Sequence, residues 1–356
     1  MIDLHSKEVF FTGENGQGKS NLLEAIYYSS YASSFRTHLE TEMISRGKNE
    51  MSVRSLYREE NGVSHSTFIT FEKGEKNKKH IEKDGKVVHD RKDLINTMPC
   101  VLFNHDDLDF VIGEPERRRF FIDQSLSMYD VLYIDTMRRY RRVLKNRNLC
   151  LKEKNFSLVE SYNIQLAQNG IEIIKKRKSA IFQFNQIFGK IYEEVSGIEG
   201  IKIKYSPSWK KQNCNSFTEN AIPEIDEVLD FIKSKEEIEH LMGTTMSGPH
   251  RDRIGFIKEN LPFVPTASTG QRRLLALALR SSQAVFYKQI SGRNPILLMD
   301  DVLLELDPLK RQKFTFLLPE YDQLFCTFLP GEPWKNYKKE NTKIYSIENG
   351  KWKVKE

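Results

Sequence analysis

The segment that most constrains this chain is a run of eight residues set between two apolar stretches. The run consists of Gly13, Glu14, Asn15, Gly16, Gln17, Gly18, Lys19 and Ser20. It matches the phosphate-binding loop pattern G-x-x-x-x-G-K-[ST] at every fixed position. Residues 9–12 before it have strand character, and residues 22–26 after it have helical spacing. The sequence therefore predicts a strand, a phosphate loop and a helix in that order.

The chemistry of this loop follows from its residue types. Glycines allow a tight turn in which successive backbone N–H groups converge on an anion. The N-terminus of the following helix adds partial positive charge at the same place. We expect Lys19 to reach the β- and γ-phosphates of a nucleotide, and the Ser20 hydroxyl to hold Mg²⁺.

Composition sets the class of protein. The chain has 356 residues, of which 29% are charged and 39% hydrophobic, as expected of a globular protein with two domains. Its net charge of +6 permits a polyanionic partner without requiring one. The four cysteines form no C-x-x-C pair, which argues against a zinc site and fits a reducing compartment. Since neither a secretion signal nor an apolar run of about 20 residues is visible, we predict a cytoplasmic protein.

A second nucleotide-site feature lies near the end of the chain. Residues 296–299 are apolar without alternation and are followed by Asp300 and Asp301. Such a run predicts a strand of a parallel sheet buried on both faces, and ligands bind at the carboxyl ends of such strands. We expect Asp300 to hold Mg²⁺, directly or through water, and Asp301 to polarise an attacking water. Asp307 follows in a loop, and Pro308 predicts the start of a helix.

Two further segments are candidate ligand contacts. Ser268 is a suitable N-cap residue ahead of an apolar helix, and Gly270 leaves the backbone open, so this helix N-terminus could hold an anion. Gln271 lies in the same turn. The Gly-Pro-His-Arg turn at 248–251 contains His250, which is either a site residue or a structural histidine.

Residues 127–196 carry two apolar stripes at helical spacing, separated by a polar turn at 152–155, which predicts an antiparallel helical hairpin. The polar faces are rich in cations that are either ordinary solvated surface or contacts to a DNA phosphate backbone. These cations are Arg138, Arg139, Arg141, Arg142, Lys145, Arg147, Lys175, Lys176, Arg177 and Lys178. Three arginines at 117–119 leave similar alternatives open.

The separation of the two nucleotide features predicts the domain organisation. Most of the chain lies between Lys19 and Asp300, although both would serve one site. We therefore predict an α/β nucleotide-binding domain in two halves, residues 1–112 and 243–356. A helical insertion at 113–242 would divide them.

The order of these segments resembles the ABC-type ATPase heads and, within them, the RecF family. The resemblance covers nearly the whole chain and rests on five segments, at 13–26, 102–123, 243–252, 268–273 and 296–307. The last four are similar to motifs specific to that family, such as Gly-Pro-His-Arg-Asp and Asp-Asp-Val-Leu-x-Glu-Leu-Asp. The resemblance implies a P-loop ATPase head with a mixed sheet and an antiparallel β subdomain, split by a coiled-coil-like insertion.

The resemblance also implies a mechanism. Two subunits would enclose two ATP molecules with Mg²⁺, and the phosphate loop of one would face the signature residues Ser268, Gly270 and Gln271 of the other. Asp307 would belong to the D-loop. Slow, DNA-stimulated hydrolysis would control dimerisation and the binding of single-stranded or gapped DNA, at sites of replication-gap and recombinational repair. The implied partners are RecR, RecO in the same pathway and, indirectly, RecA.

Three other functions fit parts of the sequence. They are the ATPase subunit of an ABC transporter, an SMC-like chromosome scaffold and a small-molecule kinase. The basic hairpin argues against the first, its short arms argue against the second, and the signature at 268–273 has no use in the third. The family's leading segment, implied to contact adenine, is not found ahead of the first strand, so the adenine contacts are not predicted.

Overall fold

The computed structural model describes residues 2–59, 62–95, 97–209 and 221–355. The chain divides into two compact units. The sheet unit comprises Met1–His105 and Tyr287–Glu356, and the helical unit comprises Asp106–Phe286. The predicted boundaries at 112/113 and 242/243 mark the two halves of a nucleotide-binding domain. The compact units do not test them, so they stay a prediction.

The regular elements are numbered in chain order. The strands are β1 (Glu8–Thr12), β2 (Glu50–Arg58), β3 (Ser64–Glu72), β4 (Lys78–Lys83), β5 (Lys86–Val87), β6 (Cys100–Phe103), β7 (Lys202–Ser206), β8 (Arg253–Lys258), β9 (Leu261–Pro262), β10 (Ile296–Met299), β11 (Leu324–Phe328), β12 (Thr342–Glu348) and β13 (Lys351–Lys355). The α-helices are α1 (Lys19–Tyr31), α2 (Asp109–Ile112), α3 (Pro115–Ser127), α4 (Val131–Lys152), α5 (Phe156–Ser196), α6 (Ile225–Lys233), α7 (Glu236–Met242), α8 (Thr269–Ser291) and α9 (Pro308–Phe316).

The core of the sheet unit is a six-stranded sheet in the order β13-β12-β1-β11-β10-β6. Five strands are parallel, and β13 at one edge pairs antiparallel with β12. Every residue of β1, β10 and β11 is buried, as their mainly apolar sequences predict for a parallel sheet covered on both faces. Leu23 of α1 packs into the same hydrophobic cluster as Val9, Leu298 and Phe325. This packing sets α1 and the phosphate loop at the carboxyl edge of the central strands.

A second sheet in this unit is antiparallel, in the order β2-β3-β4-β5. The strands expected between residues 50 and 90 are confirmed, and the turn at Asp84 and Gly85 joins β4 to β5 as its sequence indicates. Strand β13 was not predicted from the sequence, although an Asn-Gly pair precedes it. All five residues of β13 are exposed, although Trp352 and Val354 alternate with lysines. The strand is therefore held by its pairing with β12 rather than by burial.

The helical unit contains the predicted hairpin. Helices α4 and α5 pack along each other, and the chain reverses between them at residues 153–155. Side chains on the facing sides, among them Tyr140, Leu166 and Ile173, are almost fully buried. The apolar stripes are therefore core, as their helical spacing predicts.

Two arginines assigned to the cationic polar faces are instead inside the helical unit, so that assignment is wrong for them. Arg147 is 2% exposed, and its Nη2 lies 2.7 Å from Oε2 of Glu239, which is fully buried. Arg177 is also 2% exposed and lies 2.9 Å from carboxylate oxygens of both Asp123 and Asp252. Each guanidinium is matched by buried carboxylates, because an unpaired buried charge would be strongly destabilising.

His250 is partly buried in the helical unit. Its Nδ1 lies 2.7 Å from the Tyr140 hydroxyl, and its Nε2 lies 3.3 Å from the Thr245 carbonyl. Since a carbonyl only accepts, Nε2 carries the proton and Nδ1 accepts from Tyr140. Burial lowers the pKa of His250 to about 4, and the charges of Arg119, Arg147 and Arg251 act in the same direction. His250 is therefore neutral in the folded helical unit.

This arrangement predicts a pH-dependent loss of stability. The pKa of His250 is lower in the folded chain than its ordinary value near 6.5. The contribution of neutral His250 to the free energy of unfolding is therefore complete above pH 6.5 and is lost as the pH falls towards 4. At pH 5 we expect this group to lower the free energy of unfolding by about 2 kcal/mol relative to pH 7. His250→Gln should reduce the fall in urea midpoint between pH 7 and pH 5. An unchanged pH dependence in the variant would contradict this prediction.

Candidate nucleotide-binding site

The phosphate loop joins β1 to α1 in the sheet unit, as predicted. Gly16 and Gly18 have φ of 76° and 105°, in the left-handed region that glycine adopts readily. Gly18 is the N-cap residue of α1 and has no side chain to cap the helix. The backbone N–H groups of the first turn are therefore available to an anion, and the helix dipole favours negative charge there.

Lys19 is held inside the loop. It is only 4% exposed, and its ammonium donates to the carbonyl of Gly13 at 2.8 Å and of Glu14 at 3.0 Å. These bonds tie the cation to the first two residues of the loop and leave it one further N–H donor. The loop thus places a positive charge at the start of α1, whose first backbone N–H groups are open to an anion, and this combination suits a polyphosphate.

Ser20 and the two aspartates predicted from distant parts of the chain lie together. The Ser20 hydroxyl donates to Oδ1 of Asp300 at 2.9 Å. The Thr327 hydroxyl lies 2.7 Å from Oδ1 of Asp301 and 3.2 Å from Oδ1 of Asp300. Its oxygen also accepts from the backbone N–H of Asp301 at 2.8 Å. Four side chains from α1 and the ends of two neighbouring strands thus form one polar cluster.

The aspartates differ in their surroundings. Burial raises the pKa of Asp300 above its ordinary value, and the Asp301 carboxylate adds to this effect. The hydrogen bonds from Ser20 and Thr327 oppose it. Asp301 has φ of 52°, an uncommon conformation for a residue with a side chain, and the bond from its N–H to Thr327 holds it. A divalent cation beside Asp300 would favour the charged carboxylate.

Gly13 is required by a close approach of two strands. A Cβ atom at this position would lie 2.4 Å from the carbonyl oxygen of Ile347 in β12. The N–H of Gly13 donates to the carbonyl of Phe328 at 3.2 Å. Any side chain here would push the start of the loop away from the sheet.

Sequence reasoning missed Thr327 and Glu332. Thr327 is a polar residue near the end of a buried strand, and that signal could have identified it once β11 was placed beside β10. Glu332 follows in the next loop, where burial raises the pKa of its carboxylate and the charges of Asp301 and Lys19 also act on it. No pattern in the sequence placed Glu332 near the site, because that depends on how the loop after β11 folds back.

The predicted signature lies in the helical unit at the start of α8. The Ser268 hydroxyl accepts from the N–H of Gln271 at 3.3 Å, and the Gln271 side chain accepts from the N–H of Ser268 at 2.7 Å. This reciprocal pair caps the helix, as Ser268 predicts. Ser268 and Gly270 are exposed, and no described atom beyond the chain neighbours and helix backbone of Gly270 lies within 4 Å of a Cβ built there. The helix N-terminus can therefore be approached by another molecule.

Asp307 caps α9. Its carboxylate accepts from the N–H of Lys310 at 3.0 Å and also lies 2.9 Å from the Lys310 ammonium. These contacts lower the pKa of Asp307. A role of Asp307 in a D-loop stays a prediction.

The cations proposed to contact DNA have different surroundings on α4. Arg138 lies 3.7 Å from Asp135, and Arg139 donates to Asn169 and Thr136. Arg141, Arg142 and Lys145 are exposed, and the described residues give them no ion pair. Among the α4 cations proposed to contact DNA, these three are the most available to a phosphate backbone.

The residues of the sheet-unit site fit a nucleotide with Mg²⁺. Ser20 and Asp300 offer two oxygen ligands side by side. In the described part of the chain no group of three His, Cys, Asp or Glu side chains could hold a metal ion. A cation at this site would therefore take its remaining ligands from phosphate and water, which Mg²⁺ accepts readily. Among the described residues no helix is long and apolar enough to cross a membrane.

Comparison with known proteins gives consistent results. Residues 1–353 match the model of the RecF/RecN/SMC N terminal domain. The chain is 45% identical over 351 residues to the DNA replication and repair protein RecF of Treponema pallidum (strain Nichols), covering 98% of this chain and 95% of that protein. It is 33% identical to RecF of Clostridium perfringens (strain SM101 / Type A), covering 96% and 92% respectively.

Solved structures confirm the predicted fold class. The structure described as the recombination mediator protein RecF-ATP in the RecFOR pathway superposes with a TM-score of 0.87 at 25% identity, covering 100% of this chain and 93% of that one. The Smc head bound to the C-winged helix domain of ScpA has a TM-score of 0.54 at 14% identity and shows the fold alone. The fold is thus an ABC-type ATPase head with a mixed sheet and a helical insertion. The chain belongs to the RecF family of DNA replication and repair proteins.

Proposed function

We propose that this protein is an ATP-gated DNA-binding protein of replication-gap and recombinational repair. The observation that carries the proposal is the polar cluster of Ser20, Asp300, Asp301 and Thr327 beside a phosphate loop. A chain of this family that only bound DNA would not need a metal-binding serine and paired carboxylates at that loop. The proposal places the protein in the cytoplasm.

The residues of the sheet unit have distinct proposed roles. Bound ATP with Mg²⁺ supplies a transferable phosphoryl group. Lys19 and the loop N–H groups neutralise phosphate charge, and Ser20 and Asp300 hold the cation. Asp301 orients a water and takes up its proton, a role for which it is held by Thr327. We expect turnover to be slow and stimulated by DNA.

The signature supplies the gate. In the proposed dimer the exposed turn at Ser268, Gly270 and Gln271 of one copy approaches the ATP held by its partner. The open backbone at Gly270 and the N-terminus of α8 favour the negative charge of a γ-phosphate. Hydrolysis removes the γ-phosphate and with it this contact between the two copies. The lifetime of the dimer is therefore limited by the rate of hydrolysis.

DNA is the proposed polyanionic partner. The exposed cations Arg141, Arg142 and Lys145 can neutralise phosphates without disturbing an existing ion pair. The relative described as RecF-ATP acts in the RecFOR pathway. By that likeness we propose single-stranded or gapped DNA as the ligand, RecR and RecO as partners, and RecA as the recombinase that benefits.

Lys19→Ala tests the gate at its first step. Removing the buried ammonium should weaken ATP binding by about a hundredfold or more, since charge-assisted bonds to phosphate are lost. Binding of a gapped duplex should no longer respond to ATP in a fluorescence-anisotropy titration. Lys48→Ala, at an exposed lysine of the same unit, serves as control. ATP-dependent DNA binding by the Lys19 variant would contradict the gating model.

Ser268→Arg tests the contact between copies. The variant should bind ATP with wild-type affinity, because its phosphate loop is intact, yet fail to dimerise in analytical ultracentrifugation. Gln168→Arg adds the same side chain at an exposed position of α5 and should dimerise normally. A normal ATP-induced dimer of the Ser268 variant would exclude the signature from the interface.

Charge reversal on α4 tests the DNA surface. Arg142→Glu/Lys145→Glu should reduce the slope of log affinity against log salt concentration by about 1 to 2, because two phosphate contacts are lost. Arg138 is left unchanged, since its pairing with Asp135 would complicate the result. The double reversal Lys233→Glu/Lys235→Glu on exposed residues near α6 changes the net charge equally. Equal salt slopes of DNA binding in the two variants would show that the α4 cations are solvent-exposed surface residues without DNA contacts.

A further inference from the structure

The turn between β12 and β13 lies directly against the phosphate loop. It consists of Asn349 and Gly350, with φ of 50° and 73°, so both residues are in the left-handed region. Two consecutive left-handed residues make the tight hairpin turn that matches the twist of the flanking strands. The Cβ position of Gly18 lies 3.8 Å from the Cα of Gly350, which is van der Waals contact.

Two hydrogen bonds join this turn to a single loop residue. The N–H of Asn349 donates to Oε1 of Gln17 at 2.6 Å. The N–H of Gly350 donates to the backbone carbonyl of Gln17 at 3.1 Å. Gln17 is thus held by both its side chain and its main chain, although it occupies a variable position of the loop pattern.

The main-chain bond orients a backbone donor of the phosphate loop. The carbonyl of Gln17 and the N–H of Gly18 belong to one planar, trans peptide unit, so they point in opposite directions. Because the carbonyl is directed at the hairpin turn, the N–H of Gly18 is directed away from it. A rotation of this peptide would turn a carbonyl oxygen towards the phosphates in place of a donor. The turn therefore helps to set the loop in the conformation that accepts an anion.

The outer strand of the hairpin, β13, has few other contacts among the described residues. In the described part of the chain β13 is at the edge of the sheet, pairs with β12 alone, and has all five residues exposed. Lys355, at its end, lies 3.3 Å from the Thr12 hydroxyl. Order in the hairpin and order in the phosphate loop should therefore depend on each other, and such a coupling acts equally in both directions.

We propose that Gln17 is a positioning residue through which the β12–β13 turn sets the conformation of the phosphate loop. Ligand affinity at the loop and the order of the hairpin are then two readouts of one coupling. This inference rests on the nucleotide site proposed above. It adds that an exposed hairpin, distant in sequence, is part of that site.

The first test is hydrogen exchange of the full chain without nucleotide. In Gln17→Ala the amide of Asn349 should exchange about threefold to tenfold faster than in the wild type, as expected for loss of one hydrogen bond. Gln17→Glu retains acceptor oxygens and should keep the amide protected. Equal exchange in wild type and Gln17→Ala, with unchanged melting temperatures, would overturn the proposal.

The second test is a double-mutant cycle read by calorimetric ATP binding. Gly350→Val disfavours the left-handed turn, whereas Gly350→Asn tolerates it and should leave affinity within about twofold. Gln17→Ala and Gly350→Val should each raise the Kd for ATP about threefold to tenfold. The Kd of the double variant should be no higher than that of the single variant that binds ATP more weakly. Additive effects, or no effect of Gly350→Val, would refute the coupling.

The two proposals fail differently. If the wild type does not bind ATP, the proposed function fails, and the exchange experiment still reports whether Gln17 orders the hairpin. If the wild type binds ATP and the cycle is additive, the nucleotide site stands and the positioning role of Gln17 is wrong.

Discussion

The hydroxyl–carboxylate contacts among Ser20, Asp300, Asp301 and Thr327 are the constraint on which the site depends. They join residues that are separated by most of the chain, and they exist because β1, β11 and β10 are neighbours in one parallel sheet. The carboxyl ends of parallel strands meet at one edge, so each strand delivers its last side chains to the same place. A shift of one residue in the register of β10 or β11 would turn these side chains to the other face of the sheet.

Electrostatics explains why this cluster suits a metal–nucleotide complex. Burial raises the pKa of Asp300, so keeping that carboxylate charged in the folded chain costs free energy. The cation of Lys19 is kept nearby by loop carbonyls rather than by a carboxylate. The site thus contains separate places for a divalent cation and for phosphate oxygens. The hairpin turn at Asn349 and Gly350 donates two hydrogen bonds to Gln17 of the same loop.

The arginines show how tertiary structure assigns different roles to similar residues. Arg142 and Arg147 lie five positions apart on α4, yet the first is exposed and the second is buried against Glu239. Their sequence surroundings are similarly basic. The difference arises from helical geometry, since α7 covers only one side of α4, and a cation on that side must find an anion.

The sequence by itself determined the phosphate loop, the buried strand before Asp300, the helical hairpin and the capped start of α8. Each is a local pattern, in which backbone geometry or burial requires particular residue types at fixed spacing. Tertiary structure alone decided that Thr327, Glu332 and the Asn349–Gly350 turn lie beside the phosphate loop. Their roles depend on which strands become neighbours in the sheet, and the residues of a single strand such as β13 do not specify that order. Local chemistry therefore predicted the elements of the site, and the order of strands in the sheet decided which of them act together.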